Sequence, residues 1–310
     1  MPLVSVVGAS GRQGLAQVAQ LLAAGYQVRA ISRRADAMHS TPFPDVEVRV
    51  ADLFEHATLA PAFDGSDAIF FNHPVQARAQ RADLAEAVGK AGKAVGVRRV
   101  VWSTSSWIPD RPGDPFTYGW NTEGINRLWR TGVPATVFGS VLFMDNLLTN
   151  WVRPRLLREG VFVYPHGPKL RANWISLDDV ARIMILSLDR PDFEGSWMNI
   201  GGPEAMQGPD VAAALSAALG REIAFRYSAP AEFGDELAAA FGNAMPSDRR
   251  EQFARDIEAF YVYNNESPTR PFEVDAAYQA SRLPGFVPER LIDWAGRQDW
   301  SDAAYRPSGG

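Results

Sequence analysis

Three glycines at intervals of three stand close to the N-terminus, in Gly8-Ala9-Ser10-Gly11-Arg12-Gln13-Gly14. An apolar run, Leu3 to Val7, precedes them, and an Ala- and Leu-rich stretch, Gln13 to Ala24, follows. A strand that turns through glycines into a helix offers free backbone N–H groups to an anion, and this spacing suits a pyrophosphate. Gly8 permits the sharp turn out of the strand, Gly11 lets the backbone approach the pyrophosphate, and Gly14 lets the helix lie close to the sheet. Ser10, Arg12 and Gln13 complete the candidate cofactor-binding turn. The competing reading is a tight turn that binds nothing.

Nucleotide choice is read at the end of the second apolar strand. An NAD site usually carries Asp or Glu there to hold the ribose hydroxyls, whereas this chain has Ser32-Arg33-Arg34. Arg33, the closer to the strand, suits a 2′-phosphate, and Arg12 can approach the same group. NADP(H) is therefore expected in preference to NAD(H). The alternative for Arg33 and Arg34 is a pair of solvated charges. Asp52, just past the third strand, suits a contact with the adenine amino group or else caps a helix.

Candidate acid–base groups follow the next strands. Asn72-His73-Pro74 succeeds the fourth and Ser103-Thr104-Ser105-Ser106 the fifth, at the carboxyl edge where ligands bind in open α/β sheets. Asn72 and Ser103 are candidate cofactor contacts, and His73 and Ser103 also candidate catalytic groups. The competing roles are a backbone-satisfied histidine and loop-capping hydroxyls. His166, in Tyr164-Pro165-His166-Gly167-Pro168, is expected in a loop that lines the cleft. Trp102, Trp107, Trp120 and Trp151 border a flat aromatic substrate or simply fill the core.

Other chemistries are excluded. The chain has no cysteine, so disulfides, thiolate metal sites and Cys nucleophiles are ruled out. The histidines, His39, His56, His73 and His166, show no metal-binding spacing, and no G-x-S-x-G turn occurs. A net charge of −5 argues against direct nucleic-acid binding. No apolar stretch reaches a membrane span, and the start shows no signal peptide, so a cytoplasmic protein is expected.

Elements that position these residues alternate over the first half. Strands are read at Leu3 to Val7, Tyr26 to Ile31, Val46 to Val50, Asp67 to Phe71, Val100 to Trp102 and Ala135 to Phe138, with a long helix at about Ala77 to Val95. Alternation of apolar strands and helices specifies a doubly wound parallel sheet, a Rossmann domain of the α/β class. Beyond it, helices are expected at Phe143 to Arg158 and Leu177 to Leu188, short strands at Val161 to Tyr164 and Leu170 to Ile175, and mostly helices after Gly201-Gly202-Pro203. Pro246, Pro268 and Pro284 punctuate those, and Arg306 to Gly310 reads as a frayed tail.

The sequence resembles the NmrA-like group of atypical short-chain dehydrogenases/reductases. The resemblance is carried by the glycine turn and Arg33, by Thr136-Val137, and by Phe143-Met144-Asp145-Asn146. Trp174-Ile175-Ser176-Leu177-Asp178-Asp179-Val180-Ala181 and Asn199-Ile200-Gly201-Gly202-Pro203-Glu204 complete it. It implies a Rossmann domain over 1–150 plus about 172–201, and a smaller, mainly helical domain over about 151–171 and 202–305. A small-molecule substrate would sit in the cleft between them.

Group members reduce quinones, dyes and phenylpropanoids with NAD(P)H, and some instead sense the nucleotide pool through protein partners. The resemblance also places the usual Tyr-x-x-x-Lys pair on Thr117 and Asn121, so neither partner is in register. Tyr118, one residue off, and Asn121 are left as catalytic candidates, with aromatic packing beside Phe116 and Trp120 as the alternative for Tyr118. The expectation is an NAD(P)H-dependent oxidoreductase acting on a hydrophobic, quinone-like or aromatic molecule. A non-catalytic nucleotide sensor, or an isomerase or cyclase on the same fold, stands as the alternative.

Overall fold

The computed structural model describes residues 1–74, 77, 80–109, 116–240 and 247–301. Part of the helix expected from Ala77, the break at Pro246 and the tail from Arg306 lie outside the described residues. Contacts divide the chain into two compact units, 1–140 with 177–200, and 141–176 with 201–310. These boundaries stand against expected ones at about 150, 172 and 201.

The first unit is built on a seven-stranded sheet. Its strands are β1 (Leu3–Val7), β2 (Gln27–Ser32), β3 (Glu47–Val50), β4 (Ala68–Asn72), β5 (Arg99–Ser103), β6 (Ala135–Ser140) and, after an excursion of the chain, β10 (Ser196–Ile200). The order is β10-β6-β5-β4-β1-β2-β3, with every pairing parallel. Parallel neighbours need crossovers. Here α1 (Arg12–Ala23), α2 (Leu59–Phe63), α3 (Arg81–Ala94), α4 (Phe116–Arg130) and α6 (Leu177–Leu186) supply them.

Helices cover the central strands on both faces, so those strands read as unbroken apolar runs. Val4, Val6, Ile69, Phe70, Phe71, Val100, Val101 and Trp102 are fully buried. β3, at the edge, carries Glu47 and Arg49, charges that discourage further strand pairing. From β1 the sheet grows one way through β2 and the other through β4. The reversal opens a crevice at the carboxyl ends of β1 and β4, where such sheets bind ligands.

The second unit holds β7 (Leu142–Phe143), β9 (Ala172–Ile175) and β11 (Ala205–Met206) in one small sheet, and β8 (Val161–Tyr164) paired with β12 (Ala224–Tyr227) in another. Around them lie α5 (Arg153–Glu159), α7 (Gly208–Leu219), α8 (Pro230–Ala240), α9 (Ser247–Glu266), α10 (Ala276–Arg282) and α11 (Leu291–Gly296). The single helix expected over Phe143 to Arg158 is broken into β7, a 3-10 turn at Met144–Leu148 and α5. Thr149 caps the turn, its hydroxyl donating to the Asn146 carbonyl at 2.5 Å. Pro154 is confined to the first turn of α5, because it lacks the N–H that a helix interior requires.

Candidate functional site

The glycine turn sits at the reversal of strand order. Gly8 ends β1 at φ +72°, a conformation that costs glycine little. Its N–H donates to the Ile31 carbonyl at 3.2 Å and its carbonyl accepts the Gly11 N–H at 3.0 Å. A Cβ on Gly14 would lie 2.2 Å from the Gly8 carbonyl oxygen and 2.6 Å from the Ala9 Cα. Only glycine lets α1 lie this close to the strand end. No side chain caps α1 at Gly11 and no acidic residue stands in its first turn. Its leading N–H groups and dipole are therefore suited to an anion, and the turn fits a dinucleotide pyrophosphate.

Arg33 and Arg34 are both exposed but differ in their engagements. Arg34 pairs with Asp36 at 3.2 Å and its backbone N–H donates to the Ser32 hydroxyl at 3.4 Å. Arg33 is in no ion pair among the described residues, so its guanidinium is the one at the end of β2 available to a phosphate. The Asp52 carboxylate accepts the Phe54 N–H at 3.0 Å, and the Asp52 N–H donates to the Thr58 hydroxyl at 3.1 Å. Asp52 thereby organises its own loop, the local capping role.

A line of glutamines on α1 braces the site, and sequence reading missed it. Gln17 and Asn72 exchange amide bonds: Gln17 donates to Asn72 at 3.0 Å, Asn72 donates to Gln17 at 2.7 Å, and Asn72 also donates to the Val7 carbonyl at 3.0 Å. Asn72 thus ties the ends of β1 and β4 to α1. Gln13 donates to the Ser105 hydroxyl at 2.9 Å, joining the glycine turn to the loop after β5, where Ser105 holds φ +56°. Gln20 donates to Asp178 at 3.1 Å. The signal was in the sequence: Gln13, Gln17 and Gln20 recur at helical spacing on an otherwise apolar helix.

The catalytic candidates are held in bonds of their own. Asn121, 0% exposed, accepts from the Arg81 guanidinium and donates to the Ser106 hydroxyl at 2.9 Å and the Trp107 carbonyl at 2.8 Å. Its amide pins the loop after β5. Tyr118 is buried, its ring edge-on to Trp107 at 5.3 Å between centroids. The side chains of Phe116 and Thr117 lie outside the described residues. The Ser103 hydroxyl is 3.4 Å from that of Ser140 and is buried.

His73 is buried and accepts on Nδ1 from the Trp102 indole N–H at 3.4 Å. That bond places the proton of a neutral imidazole on Nε2. Trp102 and Trp107 are core residues. His166, expected on a cleft-lining loop, is 1% exposed within an aromatic cluster of the second unit, and burial lowers its pKa to about 3. Among the described residues no cluster of three His, Asp or Glu could hold a metal ion. No described helix is long and apolar enough to cross a membrane.

A glycine turn at the switch point of a doubly wound parallel sheet defines a Rossmann-type α/β protein. The chain belongs to the NmrA-like family, whose model matches residues 2–302. An NAD(P)H azoreductase of Xenophilus azovorans is 31% identical over 72% of this chain and 76% of its own. Two solved structures share the fold. The NADPH complex of a quinone oxidoreductase from Escherichia coli is 20% identical, covers 94% of this chain and 98% of its own, and has a TM-score of 0.70. The NAD complex of NmrA, a negative transcriptional regulator, is 18% identical, covers 96% and 98%, and has a TM-score of 0.72.

Proposed function

We propose that the protein is an NADPH-dependent reductase of planar, electron-poor aromatic acceptors such as quinones or azo compounds. The observation that carries this reading is the Arg33 guanidinium at the end of β2, the strand next to β1 and its glycine turn, which is in no ion pair among the described residues. The turn from Gly8 to Gly14 would hold the pyrophosphate on backbone N–H groups, with Ser10, Arg12 and Gln13 around it, and Arg33 would hold the 2′-phosphate. Asn72, Asp52 and Ser103 complete the proposed cofactor set. When bound, the reduced nicotinamide supplies a hydride.

The chain's own part in the chemistry is then modest. Asn121 and Tyr118, the positions nearest to an acid pair, are engaged in structural contacts. An acceptor already short of electrons takes hydride with little acid assistance. His73, whose Nδ1 accepts from the Trp102 indole, is the candidate hydrogen-bonding group at the carboxyl edge. The azoreductase relative supports an aromatic acceptor. The complete engagement of the Asn121 amide favours the second reading, a protein that binds the nucleotide and reports its redox state to a partner.

Titration of the purified protein with NADPH and NADH, followed by nicotinamide fluorescence, tests the reading on wild type and Arg33→Ala. Loss of a charge-assisted phosphate contact should weaken NADPH at least roughly tenfold and leave NADH unchanged. Binding of neither nucleotide to the wild type would sink the proposal. Binding without NADPH oxidation across quinones and azo dyes would favour the sensor.

A further inference from the structure

Ser105 stands two residues beyond β5 with φ +56°, in the left-handed region, where a side chain crowds the backbone. Elsewhere among the described residues that conformation is taken by glycine, Arg270 excepted. The loop is fixed on both sides of Ser105. Before it, the Thr104 hydroxyl donates to the Ser106 carbonyl at 2.6 Å, and the Thr104 N–H donates to the Phe138 carbonyl at 2.9 Å. After it, Asn121 on α4 donates to the Ser106 hydroxyl and the Trp107 carbonyl. None of these bonds uses the Ser105 side chain, so glycine would close the same loop without the crowding. A strained residue that the loop itself does not require points to a task for its side chain.

Among the described residues the Ser105 hydroxyl is engaged by the Gln13 amide, which donates to it at 2.9 Å. Gln13 is the second residue of α1, just past the glycine turn that ends β1. In the sheet, β4 lies between β1 and β5. The bond therefore joins segments rooted two strand spacings apart, about 10 Å, and passes the carboxyl end of β4.

The order of the strands indicates what lies there. Arg33 is at the end of β2, on one side of β1, and the Gln13–Ser105 bond is on the other. A dinucleotide with its pyrophosphate on the glycine turn and its 2′-phosphate on Arg33 has its adenine half over β2. Its nicotinamide half then runs the opposite way, toward β4 and β5 and the Gln13–Ser105 bond.

We propose that Ser105 is a positioning residue for the nicotinamide half of the nucleotide. Its hydroxyl fixes the Gln13 side chain across the end of β4, and that side chain sets the path from the pyrophosphate turn to the loop after β5. The inference rests on the NADPH reading of the site and adds a residue that acts through Gln13.

Ser105→Gly keeps the backbone conformation and removes the hydroxyl. Fluorescence titration should show the NADPH dissociation constant raised roughly three- to tenfold, the loss of one neutral hydrogen bond. Tm should stay within roughly 2 °C of wild type or rise, because relieved strain offsets the lost bond. Adenosine 2′,5′-bisphosphate, which carries the adenine half alone, should bind both proteins equally in calorimetry. Gln13→Leu should weaken NADPH to a similar extent, and Ser105→Gly on that background should add nothing. Equal NADPH binding by wild type and Ser105→Gly overturns the proposal. So does an equal loss of the bisphosphate, additivity with Gln13→Leu, or a larger fall in Tm, the mark of a merely structural serine. Wild type that binds no nucleotide overturns the NADPH reading and this inference with it, a result distinguishable from all of these.

Discussion

Gly14→Ala forces a methyl group to within 2.2 Å of a backbone carbonyl that has no room to give. The substitution should cost about 1–3 kcal/mol, as overpacking does, and should abolish NADPH binding by shifting α1 off β1. Thermal melts and nicotinamide fluorescence measure the two losses. His166 sets a pH dependence. Its folded-state pKa, about 3, lies below the ordinary value of 6.5, so the fold prefers the neutral ring. Its contribution is complete above pH 6.5 and falls as the pH drops toward 3, by up to about 1.4 kcal/mol per pH unit. Urea unfolding of wild type and His166→Phe at pH 7, 5 and 4 should show the steeper fall in wild type, and parallel curves would refute it. Legibility at this scale follows sequence distance. The glycine turn encodes its own backbone and could be read directly. The engagements of Asn121 and Asn72 depend on partners 40 and 55 residues away, Arg81 and Gln17, which no local pattern reveals.

Strands buried on both faces announce themselves as apolar runs, and for that reason β1 to β6 were legible within a residue or two. The stretch from Phe143 to Arg158 was not. Its apolar residues recur at helical spacing, but Thr149 and Pro154 interrupt the backbone, and tertiary pairing draws Leu142–Phe143 into a sheet with β9. The brace between α1 and β4 makes an element-scale prediction. Gln17→Leu removes one half of a reciprocal amide pair and leaves Asn72 short of both a donor and an acceptor. It should cost about 1–3 kcal/mol. Asn72→Leu on the same background should then cost less than it does alone, since the orphaned amide is removed. Chemical denaturation of the four proteins of the cycle decides this, and strict additivity would count against the brace.

At the scale of the molecule, each unit carries its own core, and the proposed nucleotide site lies wholly in the first. Calorimetry should therefore resolve a transition of the first unit that NADPH raises, by about 2.7 kcal/mol at a hundred times Kd, and one of the second that it leaves in place. A uniform shift of a single transition would show that the units unfold together. The boundaries of the two units rest on contacts between residues far apart in sequence, which a linear pattern does not carry. The first unit is not continuous in sequence: β10, at Ser196–Ile200, closes the sheet against β6 at Ala135–Ser140. During synthesis at roughly 5–20 residues per second, β6 therefore waits on the order of 3–12 s for its last neighbour to leave the ribosome. Over that interval the nascent chain presents an apolar strand paired with β5 on one side and open on the other, an edge that invites aggregation before the sheet is complete.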